Sequence, residues 1–168
     1  MGIPFSVGEV LEIAQQIERN GARFYRRAAE QAPSARVGET LLELAAMEDR
    51  HEQVFAAMAA DLSDVERRPP AYDPYDESVQ YMRAAAGGHV FDLRTDPVEW
   101  LEGSRTMQQV LGRAMELEKD SIVYYLGVRG VMPDDVGRAR VDGVIREEMG
   151  HLTLLNTMVS MADEEAGA

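Results

Sequence analysis

The chain contains no cysteine in 168 residues. That excludes disulfides, thiolate metal sites and iron–sulfur clusters, and leaves histidine and carboxylates as ligands for any metal. Basic residues are also scarce: 17 Lys and Arg stand against 30 Asp and Glu, giving a formal net charge of −13. Binding nucleic acid through phosphates needs clustered Lys and Arg, so no nucleic-acid partner is expected. A negative envelope favours solubility and attracts metal cations. No apolar run is long enough to span a membrane, and the N-terminus lacks the basic start and apolar stretch of a signal peptide. A cytoplasmic protein without membrane contact is expected. Met1-Gly2-Ile3-Pro4-Phe5-Ser6 fits a loose myristoylation pattern, but Ser6-Val7-Gly8-Glu9 reads better as a capping box that opens a helix.

What is present is a repeat. The halves match each other at an offset of one hundred residues, without a gap, from Val10/Val110 and Leu11/Leu111 through Ala14/Ala114, Tyr25/Tyr125 and Pro33/Pro133 to Met58/Met158. The residue types that repeat include Glu18/Glu118, Glu48/Glu148 and His51/His151. Two lone carboxylates and two Glu-x-x-His pairs on helices are what a dinuclear metal site inside a four-helix bundle requires.

Alanine, leucine, methionine and glutamate favour helix, and the length suits one domain, 1–168, with a substantial core. Helix one is expected from about Ser6 to Gln31. Val10, Leu11, Ala14, Ile17, Gly21, Ala22 and Tyr25 form its buried stripe, with Glu18 in the middle. A charge on such a stripe needs a partner. Ala32-Pro33-Ser34 is the turn. Helix two runs from about Ser34 to Leu62, with Leu41, Leu44, Ala45, Glu48, His51, Glu52, Phe55 and Met58 on its inner side. Glu48 and His51 are three apart and point the same way. Glu18 and Glu48 each lie about fourteen residues from the turn, at similar heights in an antiparallel hairpin. Helices three, from about Ser104 to Arg129, and four, from about Pro133 or Asp134 to Met161, repeat this hairpin with Glu118, Glu148 and His151, leaving a frayed tail from Asp163 to Ala168.

The hairpins (about 6–62 and 104–161) are joined by a crossover over about 63–103. It holds Arg67-Arg68-Pro69-Pro70 and Tyr72-Asp73-Pro74, a short helix from Ser78 to Ala86 ended by Gly87-Gly88, and a helix start at Asp96-Pro97. One long crossover between helices two and three is the ferritin-like way of joining four helices. The fold expected is all-α, a ferritin-like four-helix bundle.

One Glu-x-x-His match is weak, arising by chance in about one chain in five at average composition. Two matches, each trailing a core-facing glutamate by thirty residues in one register, are far more specific. Four glutamates balance two divalent cations, which avoids most of the cost of burying charge. The arrangement expected has Glu18 and Glu118 as terminal ligands, Glu48 and Glu148 as bridges, and His51 and His151 one to each metal. Oxygen-rich ligation with one imidazole per ion suits iron or manganese, with zinc as a competitor. Tyr25 and Tyr125 lie two turns from Glu18 and Glu118 on the same faces, where they could bond groups beside the ligands, pass electrons or simply pack. Glu116 and Glu147 should face solvent, Met149 should lie in or near the core rather than ligate haem, Glu52 is a candidate at the rim, and His89 falls in the crossover.

The chain resembles the rubrerythrin branch of the ferritin-like di-iron carboxylate superfamily. The segments that carry the resemblance are 17–25, Met47-Glu48-Asp49-Arg50-His51, 117–125 and Glu147-Glu148-Met149-Gly150-His151, so it covers both hairpins. The resemblance implies two iron ions, a centre that reacts with hydrogen peroxide or dioxygen, and a peroxidase or ferroxidase role; the alternative is iron storage in a larger oligomer with the same centre as entry site. It departs from the family in two ways. There is no cysteine for a rubredoxin domain, so a separate electron-donor protein is expected. Typical rubrerythrins also carry a glutamate three residues beyond the terminal ligand of helix three, where this chain has Ser121. That absence implies modest peroxide turnover, which Ser121→Glu should raise if the site has room. A homodimer or larger homo-oligomer is expected. With no fifth helix following helix four, a bacterioferritin-like cage is not.

Overall fold

A computed structural model describes residues 6–67, 98–103 and 105–166, with side chains as far as residue 161. Among the described residues four α-helices form the architecture: α1 (Val7–Glu30), α2 (Ala35–Asp61), α3 (Met107–Val131) and α4 (Asp135–Ala166). Among the described residues there is no strand, and none of their helices is long and apolar enough to cross a membrane.

Local chemistry sets where each helix begins. The expected capping box opens α1: Glu9 N donates to Ser6 Oγ at 3.2 Å, and Ser6 N donates to Glu9 Oε2 at 2.7 Å. Ser34 caps α2 through Val37 N. Thr106 and Gln109 form a second capping box, which places the start of α3 two to three residues after the expected Ser104. Asp134 Oδ1 accepts from Gly137 N at 2.6 Å at the start of α4. That helix continues to Ala166, so the tail expected to fray from Asp163 is helical as far as that residue. Nothing between Met161 and Ala166 breaks a helix, and glutamate and alanine favour one.

Helix α1 packs along α2 and α3 along α4, and the two hairpins meet through α1 with α3 and α2 with α4. The repeat is visible in the core: Val10 and Val110, Leu11 and Leu111, Ala14 and Ala114, Ile17 and Leu117, and Tyr25 and Tyr125 are all buried. Each fully buried Leu or Phe here contributes about 1.5–3 kcal/mol from transfer out of water. Tyr124 ties the hairpins together by donating its hydroxyl to the Val10 carbonyl at 3.1 Å. Met149 departs from the expectation. It is 56% exposed, because the buried stripe of α4 passes through Glu148 and His151 and leaves the residue after Glu148 facing outward.

Of the crossover, a short 3-10 turn at Glu99–Glu102 is described. It buries Leu101, whose carbonyl accepts from Gln31 Nε2 at 3.1 Å. The expected helix at 78–86, the start at Asp96-Pro97, and His89 lie outside the described residues.

Candidate metal centre

The capped ends, short turns and shared register bring Glu18 from α1, Glu48 and His51 from α2, Glu118 from α3, and Glu148 and His151 from α4 to the middle of the bundle. All six are at most 4% exposed. Their side-chain atoms fall into two overlapping groups: Glu18, Glu48, His51 and Glu148, and Glu48, Glu118, Glu148 and His151. Within each group one ligand-type atom per residue lies within 4.8 Å of the others. Glu48 and Glu148 belong to both groups, Glu18 and Glu118 to one each, and each group has one imidazole.

Glu148 lies between the two rings. Its Oε1 is 2.8 Å from His51 Nδ1 and its Oε2 is 2.8 Å from His151 Nδ1. His151 Nδ1 also lies 3.1 Å from Glu48 Oε1 and 3.4 Å from Glu118 Oε1, and His51 Nδ1 lies 3.8 Å from Glu18 Oε2. The rings are nearly parallel, with centroids 5.6 Å apart. Despite these distances, Glu18 Oε2, Glu48 Oε1, both Glu148 oxygens, His51 Nδ1 and both nitrogens of His151 form no well-aligned hydrogen bond. Buried polar atoms left this way cost stability unless something else satisfies them. Here they converge on common space, as ligands to a pair of cations would. The donor set of oxygens with one imidazole per group fits two divalent ions of iron or manganese type.

The comparisons agree with this geometry. Residues 9–86 match the Rubrerythrin family model. A crystal structure from Thermotoga maritima, of a protein provisionally assigned as ferritin-like and diiron-carboxylate, is similar to this chain with a TM-score of 0.75. The two share 26% identity over 96% of this chain and 99% of that one. No curated protein matches the sequence significantly. The chain has the ferritin-like fold, and its first half resembles the Rubrerythrin family.

In this centre the tyrosines cross between the repeats. Tyr25 donates to Glu118 Oε1 and Tyr125 to Glu18 Oε1, so each half braces the lone carboxylate of the other. Burial, and the negative charge of Glu118 beside Tyr25 and of Glu18 beside Tyr125, push both phenols well above their ordinary range and keep them as donors.

The carboxylates show the strain of crowding. Burial, then the charges of Glu18 and Glu118, hold Glu48 well above the usual carboxylate range. Burial, then Glu148, raises Glu118 to about 8. Glu18 is raised by burial too, against hydrogen bonding from Glu48. Glu148 is lowered: burial and Glu48 oppose ionisation, but contacts with His151, His51 and Glu118 outweigh them. Burial pushes the imidazoles down, yet the flanking carboxylates win and hold His51 at about 11 and His151 at about 12.

Other expectations fall differently. Glu116 faces solvent and accepts from Arg113 at 2.9 Å. Glu52 is engaged at the surface by Arg19 at 2.8 Å and does not join the centre. Glu147 is half exposed, as expected, but its Oε2 also lies 3.0 Å from His51 Nε2. Helix periodicity could not show this, since the contact crosses from α4 to α2. Gly21 lies on the buried stripe of α1. A Cβ there would lie 3.2 Å from Glu48 Oε2, so this carboxylate crowds the space a side chain would need. Gly21 and its repeat partner Ser121 line a cavity of about 10 Å³ with Phe24, Tyr25, Glu48, Leu117 and Glu118. That is room for about one water.

Proposed function

We propose that the protein is a non-haem di-iron oxidoreductase that consumes hydrogen peroxide or dioxygen, as a rubrerythrin-type peroxidase or a ferroxidase. The observation that carries this is the pair of buried four-residue groups sharing Glu48 and Glu148. Glu18, Glu48, His51 and Glu148 would hold one ion, and Glu48, Glu118, Glu148 and His151 the other. A pair of ferrous ions supplies the two electrons that, with two protons, convert one peroxide to two waters.

The chain's residues supply the setting. Four carboxylates neutralise two divalent charges, so the loaded centre is buried without net charge. Tyr25 and Tyr125 hold the terminal carboxylates in place through hydrogen bonds. The buried packing excludes bulk water, and the cavity beside Glu48 and Glu118 has room for about one water. Burial raises Glu118 to about 8, so this carboxyl can hold a proton at neutral pH when no cation is present. Ser121 donates its hydroxyl to the Leu117 carbonyl at 3.0 Å and offers no carboxylate. This supports modest peroxide turnover and leaves ferrous oxidation as the ferroxidase form of the same chemistry. Return to the ferrous state requires an electron-donor protein, and the chain would work as a homodimer or larger homo-oligomer.

Anaerobic reconstitution with ferrous iron, followed by stopped-flow mixing with peroxide and, separately, dioxygen, tests the proposal. Oxidation of two irons per chain, with repeated turnover once a reductant is added, is the expected result. Two bound irons that neither oxidant changes would refute it. Iron retained well beyond two per chain would establish storage instead.

A further inference from the structure

We propose that the two ion positions are unequal, with Glu147 bracing His51 so that the position at His51 binds tightly and the position at His151 binds weakly. This rests on the reading that the six central residues hold two ions.

The repeat makes the two positions alike in every direct ligand, so any difference must come from what surrounds them. Both imidazoles turn Nδ1 toward the carboxylates. A ring that ligates through Nδ1 carries its proton on Nε2. An acceptor at that proton fixes the tautomer, stops the ring from turning and makes the ligating nitrogen a stronger donor. His51 has such an acceptor, Glu147 Oε2 at 3.0 Å. Among the described residues His151 has none, and its Nε2 is buried without a hydrogen-bond partner there.

The sequence gives the reason for the asymmetry. One hundred residues before Glu147, the repeat has Met47 in place of a carboxylate. A thioether is at best a weak acceptor. A buried donor left unsatisfied also opposes the tautomer that metal binding at His151 requires. The cavity adds a second difference. It is lined by both Glu48 and Glu118, two members of the His151 group, but by only Glu48 of the His51 group. The weaker position is therefore also the one beside open space.

Cobaltous ion, titrated anaerobically into metal-free protein and followed by calorimetry and visible absorption, reads both positions without any turnover. Wild-type protein should show two steps separated by about tenfold or more in Kd. His51→Ala should remove the tight step. Glu147→Ala should weaken the tight step about 10–100-fold and merge it with the other, whereas Glu147→Gln, which keeps an acceptor oxygen, should preserve most of the separation. Met47→Glu should tighten the weak step. Glu147 is half exposed, so its variants should fold, as far-UV circular dichroism of the metal-free forms would show.

Two equal steps in the wild-type protein would overturn the proposal while leaving the two-ion reading intact. So would Glu147→Ala with its separation unchanged. Absence of any cobalt binding would overturn the two-ion reading and this proposal with it.

Discussion

Removing the metal should make the stability of this protein fall as pH rises through neutrality. In the metal-free fold His51 and His151 are held at about 11 and about 12, against an ordinary value of 6.5. Their protonation stabilises the metal-free fold fully below that ordinary value. The contribution shrinks as pH rises and is gone above the folded values. Glu118 acts in the same direction, since it keeps its proton to about 8 where an unfolded glutamate loses it near 4.5. The metal-free protein should therefore lose stability from about pH 6 to about pH 8. Metal binding must displace both imidazole protons, so affinity rises over the same range. Two protons correspond to about 2.7 kcal/mol per pH unit at fixed free metal. Two ions at a hundred times their Kd contribute about 5 kcal/mol, or about 10–20 °C in Tm for a chain of this size. Calorimetric melting with and without manganous ion, at about pH 6 and about pH 8, measures all of this. A gap between the two forms that fails to widen with pH would refute the reasoning, as would equal Tm values at saturating metal.

The remaining predictions concern single residues. His51→Ala and His151→Ala should each lower metal content in purified protein, because each removes the one imidazole of its group; elemental analysis showing unchanged content in both would remove them as ligands. Gly21→Ala should displace Glu48 and lower metal affinity, since its Cβ would meet that carboxylate at 3.2 Å; calorimetric titration should show the loss. Ser121→Glu meets a cavity of only about 10 Å³, so the condition for faster peroxide turnover is not met. Overpacking should instead lower stability by about 1–3 kcal/mol, read as a lower denaturant midpoint; an unchanged midpoint with faster turnover would reverse that conclusion.

The periodicity of the sequence determined a great deal. Glu18, Glu48, His51 and their repeat partners fall on apolar stripes at helical spacing, and a buried stripe can place a charge there only toward other charges. The gap-free repeat then gives two similar hairpins, and equal distances from each turn set the four glutamates at a similar height. Capping residues fixed most helix starts, because their hydrogen bonds are local: Ser6 and Ser34 are legible, while the box of Thr106 with Gln109 lies two residues past the expected start at Ser104.

What only the tertiary structure decided are contacts between helices far apart in sequence. Spacing along α1 places Tyr25 above Glu18, but the packing of α1 against α3 directs its hydroxyl hydrogen bond to Glu118 instead. Spacing along α4 turns Glu147 away from Glu148, yet α2 approaches from that side and brings His51 to it. The space beside Ser121 depends on Phe24 and Tyr25 of another helix, so no reading of α3 could show that it admits about one water. Periodicity fixes which face of a helix is buried; which neighbour meets that face, and at what distance, is set by how the helices pack.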